Sequence, residues 1–143
     1  ADKLINVHKF KNIIEIAKEG DLGNVDLRIG DISQHIGSSL DLTMTASNFG
    51  NVSDMATKSD LALGIINMVA ETIAMMAVFI VRDREDKSVV LTGTLMTQEL
   101  LRSTFMNLCS VLDVNFIIPE NADYATAVGA SLAYRLGWDY TEI

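Results

Sequence analysis

Proline occurs once in this sequence, at Pro119, and cysteine once, at Cys109. A single cysteine excludes an internal disulfide framework and suits a reducing cytosol. It falls on the apolar face of a helical pattern, so it reads as packing rather than as a reactive thiol. Basic residues are also few: 11 Lys and Arg stand against 19 Asp and Glu, for a net charge of −8. With no basic stripe to meet phosphates, a nucleic-acid partner is not expected. The nearest basic run, RDREDK from Arg82 to Lys87, is mixed in sign and reads as a solvated turn. Only two histidines are present, His8 near a helix start and His35 in a polar loop, and neither has a partner at ligand spacing. A metal site held by this chain is therefore not expected. The sequence also has no Gly-x-Ser-x-Gly, no Gly-x-x-x-x-Gly-Lys and no Gly-x-Gly-x-x-Gly, so a hydrolase elbow and the usual phosphate loops have no support. No N-terminal signal pattern is seen. The chain opens on Ala, in what reads as the middle of a helix (ADKLINV), and is expected to be a piece of something longer.

What is present fits a folded domain. The 143 residues are 49% apolar, enough for a core and too apolar for disorder. From Leu61 to Val81 runs a stretch of about 20 mostly apolar residues, long enough to cross a bilayer. Asn67 and Glu71 lie four apart near its middle, however, and each would cost about 2–3 kcal/mol at a bilayer centre. Neither an aromatic belt nor a basic flank compensates. A helix buried in protein on nearly all sides is expected instead, covered partly by a partner subunit or another domain.

Along the chain, Phe10, Ile13, Ile14 and Ala17 follow the i, i+3, i+4, i+7 spacing of an amphipathic helix closed by Gly20. The stretch from Asp21 to Leu40 is rich in Gly, Asp, Asn and Ser and reads as loops, with a short helical turn around VDLRI. LDLTMTASNFGNVSD reads as a short strand entering a tight turn. Ser59 is the expected N-cap of a long helix reaching Arg82. The remainder reads strand–helix–strand–helix: SVVLTG, a helix capped by Thr97, VNFIIP, and a last helix ending near Leu136 with Gly137 just beyond it. Parallel strands joined by a crossover are expected. The fold class is thus α/β, with a partly parallel sheet, packed helices and one long buried helix.

Three places carry more than core-building chemistry. Gly93 and Thr94 stand at a strand end, where α/β sheets bind ligands and where a glycine lets backbone approach one. TASNFG is a loop of small residues suited to lying against a ligand or partner. Ala125, Gly129 and Ala133 form a small-residue stripe, read first as helix packing.

Taken in order, GDLGNVDLRIGDI, DLTMTASNFG, the helix after ATKSDLALGIINMV, VVLTGTL and FIIPENADYATAVGASLA resemble the C-terminal half of a type II pantothenate kinase. The family's pattern is closer to DLTASNFG, so DLTMTASNFG carries two residues more. The resemblance implies a ribonuclease-H-like lobe of the actin, heat-shock chaperone ATPase and sugar-kinase superfamily, spanning residues 1–143. It implies transfer of the γ-phosphoryl group of ATP, with Mg²⁺, to pantothenate, the first step of coenzyme A synthesis, in a cytoplasmic homodimer. Carried over by position, Gly93, Thr94 and Phe10 would contact the nucleotide. Thr45, Ala46 and Ser47 would approach the pantothenate pocket of the partner subunit. The Ser59–Arg82 helix would form the dimer interface, with Asn67 and Glu71 paired inside it. The phosphate loops and catalytic glutamate would lie in a first lobe outside this sequence, so no catalytic residue is expected here and the chain alone is expected to be inactive. The competing readings are another kinase or ATPase of that superfamily, a non-catalytic dimerisation module and a small membrane protein.

Overall fold

A computed structural model describes residues 2–32 and 41–138. His35 and the rest of the polar loop up to Leu40 lie outside the described residues. The chain divides into two compact units, Ala1–Met76 and Ala77–Ile143.

The first unit begins with a short helix α1, Asp2–Ile5, stopped by Asn6 in the left-handed conformation at φ 54°. Helix α2, Phe10–Ala17, follows and buries Ile13, Ile14 and Ala17. Phe10, expected on that same face, stands 44% exposed at the helix's first residue. The short helical turn expected around VDLRI is α3, Ile29–Ile32, but it begins only at the segment's last residue, and Leu27–Arg28 before it form strand β1. Strand β2 is Thr45–Ser47 and pairs antiparallel with β1 through Leu27↔Ser47 and Arg28↔Thr45. The tight turn expected after it is present: Gly50 N–H donates to Ser47 O, and Asn51 N–H to Val25 O.

Helix α4 runs Lys58–Val81, contributing to the first unit as far as Met76 and to the second from Ala77. Its cap is Thr57, not Ser59. Thr57 Oγ1 accepts from Asp60 N–H (3.2 Å) while Asp60 Oδ2 accepts from Thr57 N–H (2.8 Å). This is a reciprocal capping box with Asp at its third position, where the pattern search favours Glu or Gln. Nor is α4 buried all round. Ala62, Ile66, Ala70, Ala74 and Ala77 form a narrow buried stripe at helical spacing, whereas Met68, Ile73, Met76, Phe79 and Ile80 are exposed. The physical reason lies in the stripe itself, because alanines give a close but thin seam and the bulky side chains project away from it.

The second unit follows the expected strand–helix–strand–helix order. Strand β3, Ser88–Val90, pairs parallel with β4, Asn115–Ile117, in the register Ser88↔Asn115, Val89↔Phe116 and Val90↔Ile117. Helix α5, Glu99–Leu112, makes the crossover between them. Its start differs from expectation. Thr97 ends a 3-10 turn, Thr94–Thr97, and its hydroxyl donates to Thr94 O, while Gln98 takes the cap position without a side-chain capping bond, its amide donating to Thr97 Oγ1 (2.9 Å). The core is built around Phe105, whose ring meets Phe116 edge to face at 5.4 Å and 67°. Cys109 is half-buried and its Sγ accepts from Phe116 N–H at 3.5 Å, a packing role as expected. Helix α6, Ala125–Leu136, ends at Gly137, where Trp138 N–H returns to Ala133 O.

Candidate functional site

In the first unit, polar groups gather where α4 passes the β1–β2 ribbon. Asp26 is fully buried: Oδ1 accepts from Phe49 N–H (2.8 Å) and Oδ2 from Asn67 Nδ2 (3.1 Å). That same amide group also reaches Glu71 Oε1 (3.1 Å), one helical turn on, and Thr45 Oγ1 (3.3 Å). Glu71 Oε2 in turn accepts from Asn48 Nδ2 at 2.7 Å. Asn67 and Glu71 are therefore paired, as expected, but with partners inside their own unit. These bonds to residues outside the helix give α4 a protein-facing polar side, although its length and composition would suffice to cross a membrane. Such polar groups are tolerated in an apolar helix because each finds a partner. No buried side-chain nitrogen or oxygen among the described residues lacks one.

This network places the TASNFG loop. Thr45 is half-buried beside Asn67, while Ala46 and Ser47 are exposed. Phe49 takes the left-handed conformation at φ 55°, uncommon for a bulky residue. Its ring lies over Gly64, where an added Cβ would come within 3.1 Å of the Phe49 Cζ. Asp26 and Asn48 completed the site without having been singled out in the sequence. The available signal was the acid in the apolar VDL context, opposite the two polar residues of the apolar helix.

In the second unit, Gly93 stands beyond β3 at φ 105° and ψ 169°, backbone open essentially to glycine alone. Its N–H donates to Ala122 O (2.8 Å) and its carbonyl accepts from Met96 N–H (3.1 Å), which fixes the turn. A Cβ at Gly93 would meet nothing within 4 Å, so the backbone here faces open space. Thr94 is exposed beside it. Phe10 belongs to the first unit and Gly93 and Thr94 to the second. Among the described residues nothing approaches the middle of the small-residue stripe: Ala133 is buried, but Gly129 is exposed and an added Cβ there would also meet nothing within 4 Å. The pair makes a clean contrast. Gly93→Ala is expected to lose about 1–3 kcal/mol of stability from backbone strain alone. Gly129→Ala, in a helix interior, should gain about 0.5–1 kcal/mol. Thermal unfolding of the two variants beside the parent checks both signs; equal effects would mean that φ at Gly93 is not the constraint.

Among the described residues, no group of three or more His, Cys, Asp or Glu side chains is placed to hold a metal. A surface depression of about 660 Å³ lined by Glu85, Lys87, Cys109, Ser110, Asp113, Val114 and Asn115 contains none of the candidate residues. Lys87 and Asp113 form an ion pair at its edge.

These features define an α/β protein with a glycine turn at a parallel strand end and a preorganised small-residue loop on a long apolar helix. The chain belongs to the Fumble family, whose profile matches residues 1–133. Its relatives include the type II pantothenate kinases of Oceanobacillus iheyensis, 28% identical over 127 residues, and of Staphylococcus epidermidis, 28% identical over 132 residues. The matches cover 87% and 89% of this chain but 48% and 50% of those proteins. The type II pantothenate kinase of Staphylococcus aureus is 25% identical over 133 residues, covering 89% of this chain and 49% of its own length. The resemblance read from the motifs is thus borne out, and the chain spans about half the length of these relatives.

Proposed function

We propose that this chain is the C-terminal, ribonuclease-H-like lobe of a cytoplasmic kinase that phosphorylates pantothenate from ATP. The observation that carries the reading is the strand edge Thr45–Ser47, tied to α4 by a polar network through Asn67 inside a chain of the Fumble family. Gly93 suits the nucleoside end of ATP because its backbone faces open space, with no Cβ to obstruct a planar group. Thr94 offers an exposed hydroxyl beside it. Thr45, Ala46 and Ser47 would line the pantothenate side of a partner subunit's pocket.

Phosphoryl transfer also needs groups that position the phosphates and a base for the attacking hydroxyl. Mg²⁺ supplies charge neutralisation for the phosphates in such reactions, and it would be held by them and by the first lobe. The contribution of this chain is accordingly binding and orientation, with no catalytic group of its own. The exposed Met68, Ile73, Met76, Phe79 and Ile80 on α4 favour a homodimer through that helix, since a surface of this kind is rarely left open to water.

The test is formation of phosphopantothenate from Mg-ATP and pantothenate, by this chain and by a longer form carrying a first lobe. Product from the longer form only is expected. Product from this chain alone would overturn its assignment as a lobe without catalytic groups. Product from neither form, with ATP bound by the longer one, would assign the fold to another phosphoryl acceptor.

A further inference from the structure

The β1–β2 ribbon is short: two residue pairs, continued by backbone bonds such as Ile29 N–H to Met44 O (2.9 Å) and Asn51 N–H to Val25 O (3.1 Å). Side-chain ties hold the loop in addition. Thr45 Oγ1 accepts from Asn67, Asn48 Nδ2 donates to Glu71, and Phe49 N–H donates to Asp26. Ala46 and Ser47, between these ties, are the exposed residues. The Asn67 amide has two hydrogens and three acceptors in reach, so a change at Glu71 redistributes the bonds to Asp26 and Thr45. An apolar side chain at position 71 would leave the Asn48 amide without the acceptor it has here. The carboxylate thus reaches out of the helix to tie the loop to it.

We infer that Glu71 is a positioning residue for the acceptor substrate. Through Asn48 and Asn67 it holds the edge Thr45–Ser47 in one geometry, and so sets affinity for pantothenate while leaving affinity for the nucleotide alone. The inference rests on the proposed role of Thr45–Ser47 and adds the group that controls them. The left-handed Phe49 fits it, because strained backbone persists where several contacts over-determine it, and such contacts cluster at ligand sites.

The experiment uses the full-length enzyme with Asn48→Ala, Glu71→Ala and the double substitution, reading kcat and KM for pantothenate and for Mg-ATP. Each single variant is expected to raise KM for pantothenate about tenfold, the effect of losing one hydrogen bond to a charged group. KM for Mg-ATP should stay within about twofold, and the double variant should be no worse than Glu71→Ala, because the two residues act as one tie. An unchanged KM for pantothenate, a parallel rise in both KM values, or additive effects would each overturn the inference. Should Glu71→Ala fail to fold, Asn48→Ala decides alone. Amide hydrogen exchange at Phe49 and Gly50 is read on the same proteins. Faster exchange in Asn48→Ala supports the tie, and unchanged exchange overturns it. If the parent enzyme makes no phosphopantothenate, the functional reading fails separately and exchange still judges the tie.

Discussion

Phe105→Ala is expected to destabilise the second unit by about 3–5 kcal/mol, the largest effect of any single truncation in this chain. The ring is fully buried and is the largest side chain among the fully buried ones. It fixes α5 against β4 through the edge-to-face pair with Phe116, so its removal forfeits both transfer energy and an oriented aromatic contact. Phe105→Leu keeps most of the apolar volume and should lose only about 1–2 kcal/mol. Denaturant unfolding followed by circular dichroism measures both. A loss below about 1 kcal/mol for the alanine variant would mean that the ring is not part of a close-packed core. The consequence extends to the candidate nucleotide turn, since Gly93 is held by Ala122 just after β4.

Asp60→Ala should come next, at about 2–4 kcal/mol at neutral pH, because one buried carboxylate serves two structures. It closes the capping box of α4, and it accepts from Asp21 N–H (2.7 Å) and Asn24 Nδ2 (3.3 Å), which fasten the α2–β1 connection to the helix start. Removing it leaves those donors without their acceptor. The Thr57 N–H foremost, then that of Asp21, holds this carboxyl below the ordinary aspartate range, against the opposing effect of burial. A folded-state pKa below the unfolded value of about 3.9 contributes stability that is fully present above that value and is lost as pH falls through the folded one. The stability gap between parent and Asp60→Ala should therefore be constant from neutral pH to about 5 and narrow below about 4. Asp41, held down by the Thr43 hydroxyl and N–H, and Asp86, held down by Ser88, share the direction. Both are present in parent and variant alike, so they cancel in the difference. A gap that widens in acid would show that Asp60 is not the stabilised carboxylate.

Local patterns were legible wherever a residue's neighbours in sequence are also its neighbours in space. The parallel pair β3–β4 with its α5 crossover, and the stop at Gly137, follow from short apolar runs and one glycine. The cap of α4 was misplaced by two residues, because Ser59 and Thr57 are both good capping types and only the return bond from Asp60 separates them. Leu27–Arg28 pair as β1 with a strand that begins 17 residues after Arg28, at Thr45, beyond the reach of any local propensity.

The sequence by itself determined the α/β class, the apolar α4 with its two polar residues, the glycine turn after β3, and the family, since each is written in composition or in a contiguous motif. Only the tertiary structure decided that Asp26, Asn48, Asn67 and Glu71 form one network around the Thr45–Ser47 edge, and that α4 buries a thin alanine stripe while its bulky side chains stand exposed. A hydrogen bond links Asp26 to Asn67 across 41 residues. No periodicity records such a pairing, because it is set by where the backbone brings two side chains and not by what lies beside either of them.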